Sequence, residues 1–307
     1  LPMPLMQSIL TMLIVLAFIT PMAATGQSTL RIDVELVNVV ATVTDREGRY
    51  VAGLNQDDFI ITDEGIPQNV AHFDQDDNLG LSVGIVLDTS ASMEDRLQTA
   101  QEAAVGFASR LRPEDMAEII NFDSRVEILE TFTHDQQRLE RAIRQTSAGG
   151  STSLYNAIYI SLKELAKIKA QSEDDIRRQA LIVFSDGEDT SSLVSFEEVL
   201  ELAKRSETSI YTIALRGTDT NTRGFREAEF IMRQLAQETG GRGFFPRRIE
   251  DLEGVYSQIA DELASQYTVG YTSKNPRNDG AFRRIVVQIA REGVTPRTKR
   301  GYYAQGR

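Results

Sequence analysis

The 307-residue chain has no cysteine and only two histidines. Without cysteine there can be no disulfide, no thiolate metal site and no lipid-modified cysteine, which suits either a reducing cytoplasm or an envelope protein that does without cross-links. His72 lies between Ala71 and Phe73 in a β-type segment and His134 stands at a helix start, and no G-x-S-x-G elbow is present, so serine hydrolysis finds no support. Walker and dinucleotide glycine patterns are also missing. Positive charge is scarce: 33 basic against 45 acidic residues leave a net charge of -12, which repels phosphate backbones and anionic membrane surfaces. No nucleic-acid partner is expected. What the chain does have is apolar content, 41% of its residues, enough for a large core and, at this length, about two domains.

The N-terminus bears on the compartment. Residues 9–19, "ILTMLIVLAFI", form an uncharged apolar run followed by Pro21 and by Ala24-Thr25-Gly26, with small residues at the -3 and -1 positions of a cleavage site, although no lysine or arginine precedes the run. The run is shorter than the roughly 18 residues that span a bilayer. Residues 1–26 are therefore expected to be a signal peptide, leaving a secreted or periplasmic protein of the bacterial envelope with no stable membrane span after cleavage.

Beyond it the pattern is β. Leu30, Ile32, Val34 and Leu36 alternate with polar residues, then Val37, Val39, Ala41 and Val43 continue on odd positions, which predicts a bulge or bend near Leu36 and Val37. Two further short strands are expected around a turn at Glu64-Gly65-Ile66-Pro67. From Leu81 strand-length apolar runs alternate with helical patterns, as in a mostly parallel sheet covered on both faces. The expected strands are "LSVGIVL", "MAEIINF", "VEILETF", "ALIVF", "SIYTIAL" and "RGFFP"; helices are expected over 93–111, 135–145, 154–169, 196–205, 225–239 and 252–265. The link Asp123-Ser124-Arg125 is too short for a crossover, so the strands beside it must be antiparallel, with one near an edge. The β pattern returns after Ser265 with "YTVGYTS", "FRRIVVQIA" and "GYYA". The expectation is an α/β domain, 79–266, inserted into a small all-β sandwich assembled from 27–78 and 267–307, because neither flank alone closes a core.

The chemistry gathers where apolar strands end. "GIVLDTSASM" breaks from buried residues into Asp88, Ser90 and Ser92, and "ALIVFSDG" ends in a second carboxylate, Asp186. If the sheet winds outward from the first strand to one side and then the other, both carboxylates reach the crevice where strand order reverses. The tight loop Gly149-Gly150-Ser151-Thr152 brings a hydroxyl there. Oxygen donors without sulfur or imidazole suit a hard cation such as Mg²⁺. Because hydroxyls are neutral, such a site leaves the cation electrophilic toward an added anionic ligand.

These motifs resemble the von Willebrand factor type A family and its metal-ion-dependent adhesion site: D-x-S-x-S at Asp88, Ser90 and Ser92, the threonine at Thr152 in "GGSTSLYNAI" and the second aspartate at Asp186 in "VFSDGED". The resemblance covers about residues 79–266. It implies a Rossmann-like doubly wound sheet, the five residues named as ligands of Mg²⁺ or Mn²⁺, no catalytic residues, and a protein partner that presents an Asp or Glu side chain to the metal. The whole chain also resembles bacterial secreted proteins related to this family, through residues 43–59. "SASMED" resembles integrin β subunits, but only Asp95 matches their paired aspartate and Arg96 takes the second place.

Plainer readings stand beside this one. Ser92-x-x-Asp95 also reads as a capping pair for the helix that follows, Ser153 or Thr152 as a cap for the next, Asp186 as a turn residue, and Glu188 and Asp189 as solvated loop acids. The enzymatic alternative is an aspartic-protease-like hydrolase using Asp88, since "VLDTSA" resembles that signature, but no second such turn exists and a helix follows Asp88.

Overall fold

The computed structural model describes residues 36–75, 79–171, 177–186, 188–215, 223–275, 277–304 and 306. The expected signal peptide, the alternation over 30–34 and Gly187 lie outside the described residues. In chain order the first strands are β1 (Leu36–Asp45), β2 (Phe59–Asp63), β3 (Ile66–Gln68) and β4 (Val70–Gln75). The odd positions Val37, Val39, Ala41 and Val43 of β1 are buried, and its pairing is regular from Leu36 onward. The β2–β3 hairpin turns on Glu64 and Gly65, both with positive φ (50° and 78°), the two-residue geometry that matches strand twist. Where two strands were expected here, three form: after Asn69 the chain leaves one sheet for another, so β3 pairs with β2 whereas β4 pairs elsewhere.

The α/β region contains β5 (Leu81–Asp88), α1 (Leu97–Ala108), β6 (Met116–Phe122), β7 (Val126–Thr133), α2 (Gln136–Arg144), α3 (Leu154–Gln171), β8 (Arg178–Ser185), α4 (Phe196–Arg205), β9 (Thr208–Ala214), α5 (Arg223–Thr239), β10 (Gly243–Phe244) and α6 (Leu252–Leu263). Its six strands run in the order β10-β9-β8-β5-β6-β7. All neighbours are parallel except β6 and β7, which are antiparallel and place β7 at the edge. The chain moves from β5 to one side and then from β8 to the other, so the order reverses between β5 and β8. Every residue of β5 is buried because helices cover both faces. Val83, Ile85 and Leu87 pack toward α1, α2 and α6, and Val86 toward α3, α4 and α5.

The helix expected over 93–111 is shorter. A single 3₁₀ turn, Ala91–Met93, precedes α1, whose N-cap position is Arg96 with no side-chain cap, so the Ser92–Asp95 capping pair does not form. By contrast α4 opens with the reciprocal capping box Ser195–Glu198.

The chain closes with β11 (Tyr267–Thr272), β12 (Phe282–Ile289), β13 (Val294–Thr298) and β14 (Gly301–Tyr303). Two four-stranded sheets, β13-β1-β11-β4 and β14-β12-β2-β3, each take two strands from either end of the chain. They share one core in which Val39, Val43, Tyr267 and Tyr271 of the first sheet meet Phe59, Ile61 and Ile285 of the second. The strand β13 was not anticipated, since Pro296 interrupts it; it lies at a sheet edge, where a missing amide donor is tolerated.

The sandwich and the α/β body meet around Glu262 of α6, which has no exposed surface. Its carboxylate accepts hydrogen bonds from Tyr211 Oη of β9 (2.7 Å), Thr42 Oγ1 of β1 (3.5 Å) and Tyr50 Oη (3.4 Å), and pairs with Arg297 of β13 at 2.5 Å. A buried carboxylate is tolerable only with such a full set of donors.

Candidate metal centre

Asp88 ends β5 and is entirely buried; the chain then turns sharply, with Thr89 donating from both its amide (2.8 Å) and its hydroxyl (3.1 Å) to the Phe122 carbonyl of β6. This pulls Ser90 back over the carboxylate, so that Ser90 N donates to Asp88 Oδ1 at 2.9 Å. The hydroxyls of Ser90 and Ser92 lie 3.0 Å apart, Ser90 buried and Ser92 exposed. The 3₁₀ turn keeps both serines beside the strand end. Ser185, the last residue of β8, donates to Asp88 Oδ2 at 2.5 Å and ties the two strands together across the reversal point. Sequence reading did not assign Ser185 this role, although its place next to Asp186 was the available signal.

Asp186 follows Ser185 and is half-buried. Burial drives the Asp88 carboxyl up, the hydrogen bonds from Ser185 and Ser90 hold it down, and the charge of Asp186 raises it again; the outcome is about 6. Asp186 is thus close enough for its charge to act on the buried Asp88, which is otherwise held by the hydroxyl of Ser185 and the amide of Ser90. Among the described residues no three His, Asp or Glu side chains gather as a metal cluster, so any cation here depends on hydroxyl donors. The residues fit a hard cation: a buried carboxylate opposed by a second one lacks positive charge, and oxygen atoms surround it.

Thr152 is buried on a loop hung from the same strand end: Gly149 N donates to Thr89 O (2.8 Å) and Ala91 N to Gly150 O (3.1 Å). Gly150 has φ of +71°, a conformation that L side chains rarely adopt, so the turn favours glycine there. On its other side Thr152 pairs with the segment beyond Asp186. Thr152 N donates to Thr190 Oγ1 (3.0 Å), and Thr190 N and Ser191 N donate to Thr152 O (2.8 and 3.1 Å). All five expected residues thus sit at the end of β5, on the turn that follows it and on two loops, these segments being joined by hydrogen bonds.

Asp189 departs from expectation. It is not a solvated loop acid: its Oδ1 accepts from Tyr155 N (3.2 Å) and Ser192 Oγ (2.6 Å), and its Oδ2 from Ser192 N (3.3 Å). Ser192 Oγ in turn accepts from Asn156 N at 3.0 Å. The first turn of α3 is therefore capped from another loop, whereas Ser153, at the N-cap position, donates its hydroxyl to Asp123 O at 2.7 Å.

Residues 83–188 match the family model described as the von Willebrand factor type A domain. An uncharacterized protein of Synechocystis is 32% identical over 120 residues, 38% of this chain but only 27% of that protein, so the chain covers about a quarter of that relative. A UPF0353 protein of Mycobacterium tuberculosis is 25% identical over 231 residues, 68% of each chain. Among solved structures, a von Willebrand factor type A protein from Catenulispora acidiphila superposes with a TM-score of 0.52 at 11% identity, covering 88% of this chain and 74% of that one, a likeness of fold.

Proposed function

Since the chain carries a von Willebrand factor type A domain, a family of protein-interaction modules, we propose that it is an exported, non-enzymatic binding module in which Asp88, Ser90, Ser92, Thr152 and Asp186 hold Mg²⁺ or Mn²⁺ and a partner protein's Asp or Glu completes the coordination. The observation that carries this reading is the buried carboxylate of Asp88, opposed by Asp186 and surrounded by neutral hydroxyls. A bound divalent ion supplies the missing positive charge. With few carboxylates around it, it retains affinity for one more anionic oxygen. The loops are already joined by the Thr152–Thr190 pairing and the Asp88–Ser185 bond, so binding needs little loop reordering. Export rests on the apolar run and small residues within 1–26, and no helix among the described residues is long and apolar enough to cross a membrane.

Calorimetric titration of the full chain with MgCl₂ tests the site. One binding event is expected, lost or weakened at least about tenfold in Asp186→Ala and Thr152→Ala. Equal affinity in wild type and both variants would place the cation elsewhere.

A further inference from the structure

Leu193 is 94% exposed, the most exposed large apolar side chain among the described residues. A single exposed leucine is ordinary by itself. This one sits on a backbone that is hydrogen-bonded in place on either side. Leu193 N and Val194 N both donate to Asn156 Oδ1, at 3.1 and 3.3 Å, and Ser192 is fixed by Asp189 through its amide and hydroxyl. Val194 and Phe196 on the far side pack against the core. With both flanks anchored, Leu193 is held outward on a rigid prong.

The prong is tied to the loop that carries Thr152. Ser191, two residues earlier, bonds Ser151 Oγ at 3.0 Å and donates its amide to the Thr152 carbonyl, so Leu193 lies no more than about 8 Å of backbone from that pairing. Among the described residues the surrounding charge is on balance negative: Glu94 and Asp95, just after Ser92, and Glu188, two residues after Asp186, are exposed, against the exposed Arg125 at the β6–β7 turn and the half-buried Arg96. A carboxylate approaching this rim is repelled except at the cation itself, so its carrier must bring positive charge around it.

Building on the proposed cation site, we infer that Leu193 is a specificity-determining contact, and that the partner is a protein segment presenting one carboxylate to the cation, an apolar side chain against Leu193, and basic residues toward the acidic rim. Covering a leucine so fully exposed strengthens binding about tenfold or more.

The test pans a phage-displayed random heptapeptide library on the full chain in Mg²⁺ with elution by EDTA, for wild type and Leu193→Ser, with MgCl₂ calorimetry run on both. Wild type should enrich peptides combining Asp or Glu with an apolar residue and Lys or Arg. Leu193→Ser should bind Mg²⁺ as wild type does, lose the apolar preference, and bind a synthetic enriched peptide about tenfold more weakly. Mg²⁺ binding in both proteins with no enrichment, or with the same peptides and affinities in both, overturns the role of Leu193 alone. Absence of Mg²⁺ binding in wild type overturns the cation site and this inference with it.

Discussion

Arg297 of β13 and Glu262 of α6 meet at 2.5 Å, with Glu262 wholly buried and Arg297 partly exposed. The arginine also donates to the Gly240 carbonyl at 2.5 Å, so one side chain spans from the sandwich to two elements of the α/β body. Arg297→Ala leaves a buried carboxylate without its cation and should cost about 3–5 kcal/mol of unfolding free energy. The double variant Glu262→Gln, Arg297→Met, which removes both charges, should lose clearly less than Arg297→Ala alone. Urea unfolding of wild type and the two variants checks this, and a loss in the double variant as large as in Arg297→Ala would show that the uncompensated charge is not what costs stability.

Cation binding should also appear as stability. Mg²⁺ at about 100 times its dissociation constant should add roughly 2.7 kcal/mol and raise the melting temperature by several degrees. Asp88→Ala should remove the response while the protein remains folded, as read by calorimetric melting with and without EDTA. A melting temperature that rises equally in the variant would rule out Asp88 as a ligand.

Asp189 is expected to act on the cation without touching it, by tying the segment after Asp186 to the first turn of α3. Asp189→Ala should weaken Mg²⁺ binding about tenfold, whereas Asp189→Asn, which keeps an acceptor for Tyr155 N, should stay within about threefold of wild type. Titration calorimetry at constant pH distinguishes the two. Equal weakening in both variants would mean that charge, not geometry, matters at this position.

Glu118 on β6 is buried beneath α3 with Oε1 unpartnered. Burial, reinforced by Glu164 and partly offset by Lys167, pushes its carboxyl up to about 8. Since the folded state then holds the proton more tightly than the unfolded state, the stability it contributes is complete below the ordinary carboxylate range. It is lost as pH rises toward about 8, by up to about 1.4 kcal/mol per unit. Denaturant unfolding between pH 5 and 9 should show this slope in wild type and a flatter one in Glu118→Gln. Identical slopes would assign the pH dependence to other groups.

The antiparallel pairing of β6 with β7 was legible because their link is too short for a crossover, and the mostly parallel sheet from its helical crossovers; a reversal beside Asp88 followed only on an assumed winding, which the observed strand order meets. The capping box of α4 was legible because its partners are three residues apart. Contacts that cross between loops were not: Asp189 caps an amide 34 positions away, and no local spacing reports it. The 3₁₀ turn at Ala91–Met93 was hidden because Met93 continues the apolar stripe of α1, and only the pull of the Ser90 amide toward Asp88 shows why the helix starts later. Pro296 concealed β13 for the opposite reason, a local signal against strand that an edge position overrides.

The α/β body is joined to the sandwich through two strands that are neighbours: β4, which leads into it, and β11, which leads out, pair with Gln75 opposite Tyr267. A body on one linker swivels and presents its binding face in any direction. Two leads side by side, braced by Glu262, suppress that rotation. If a partner is held at Asp88, the far end of β5, a pull on it would divide between both leads and pass into a single hydrogen-bonded ladder. On the proposed reading, a partner bound there would therefore be held at a fixed heading relative to the sandwich.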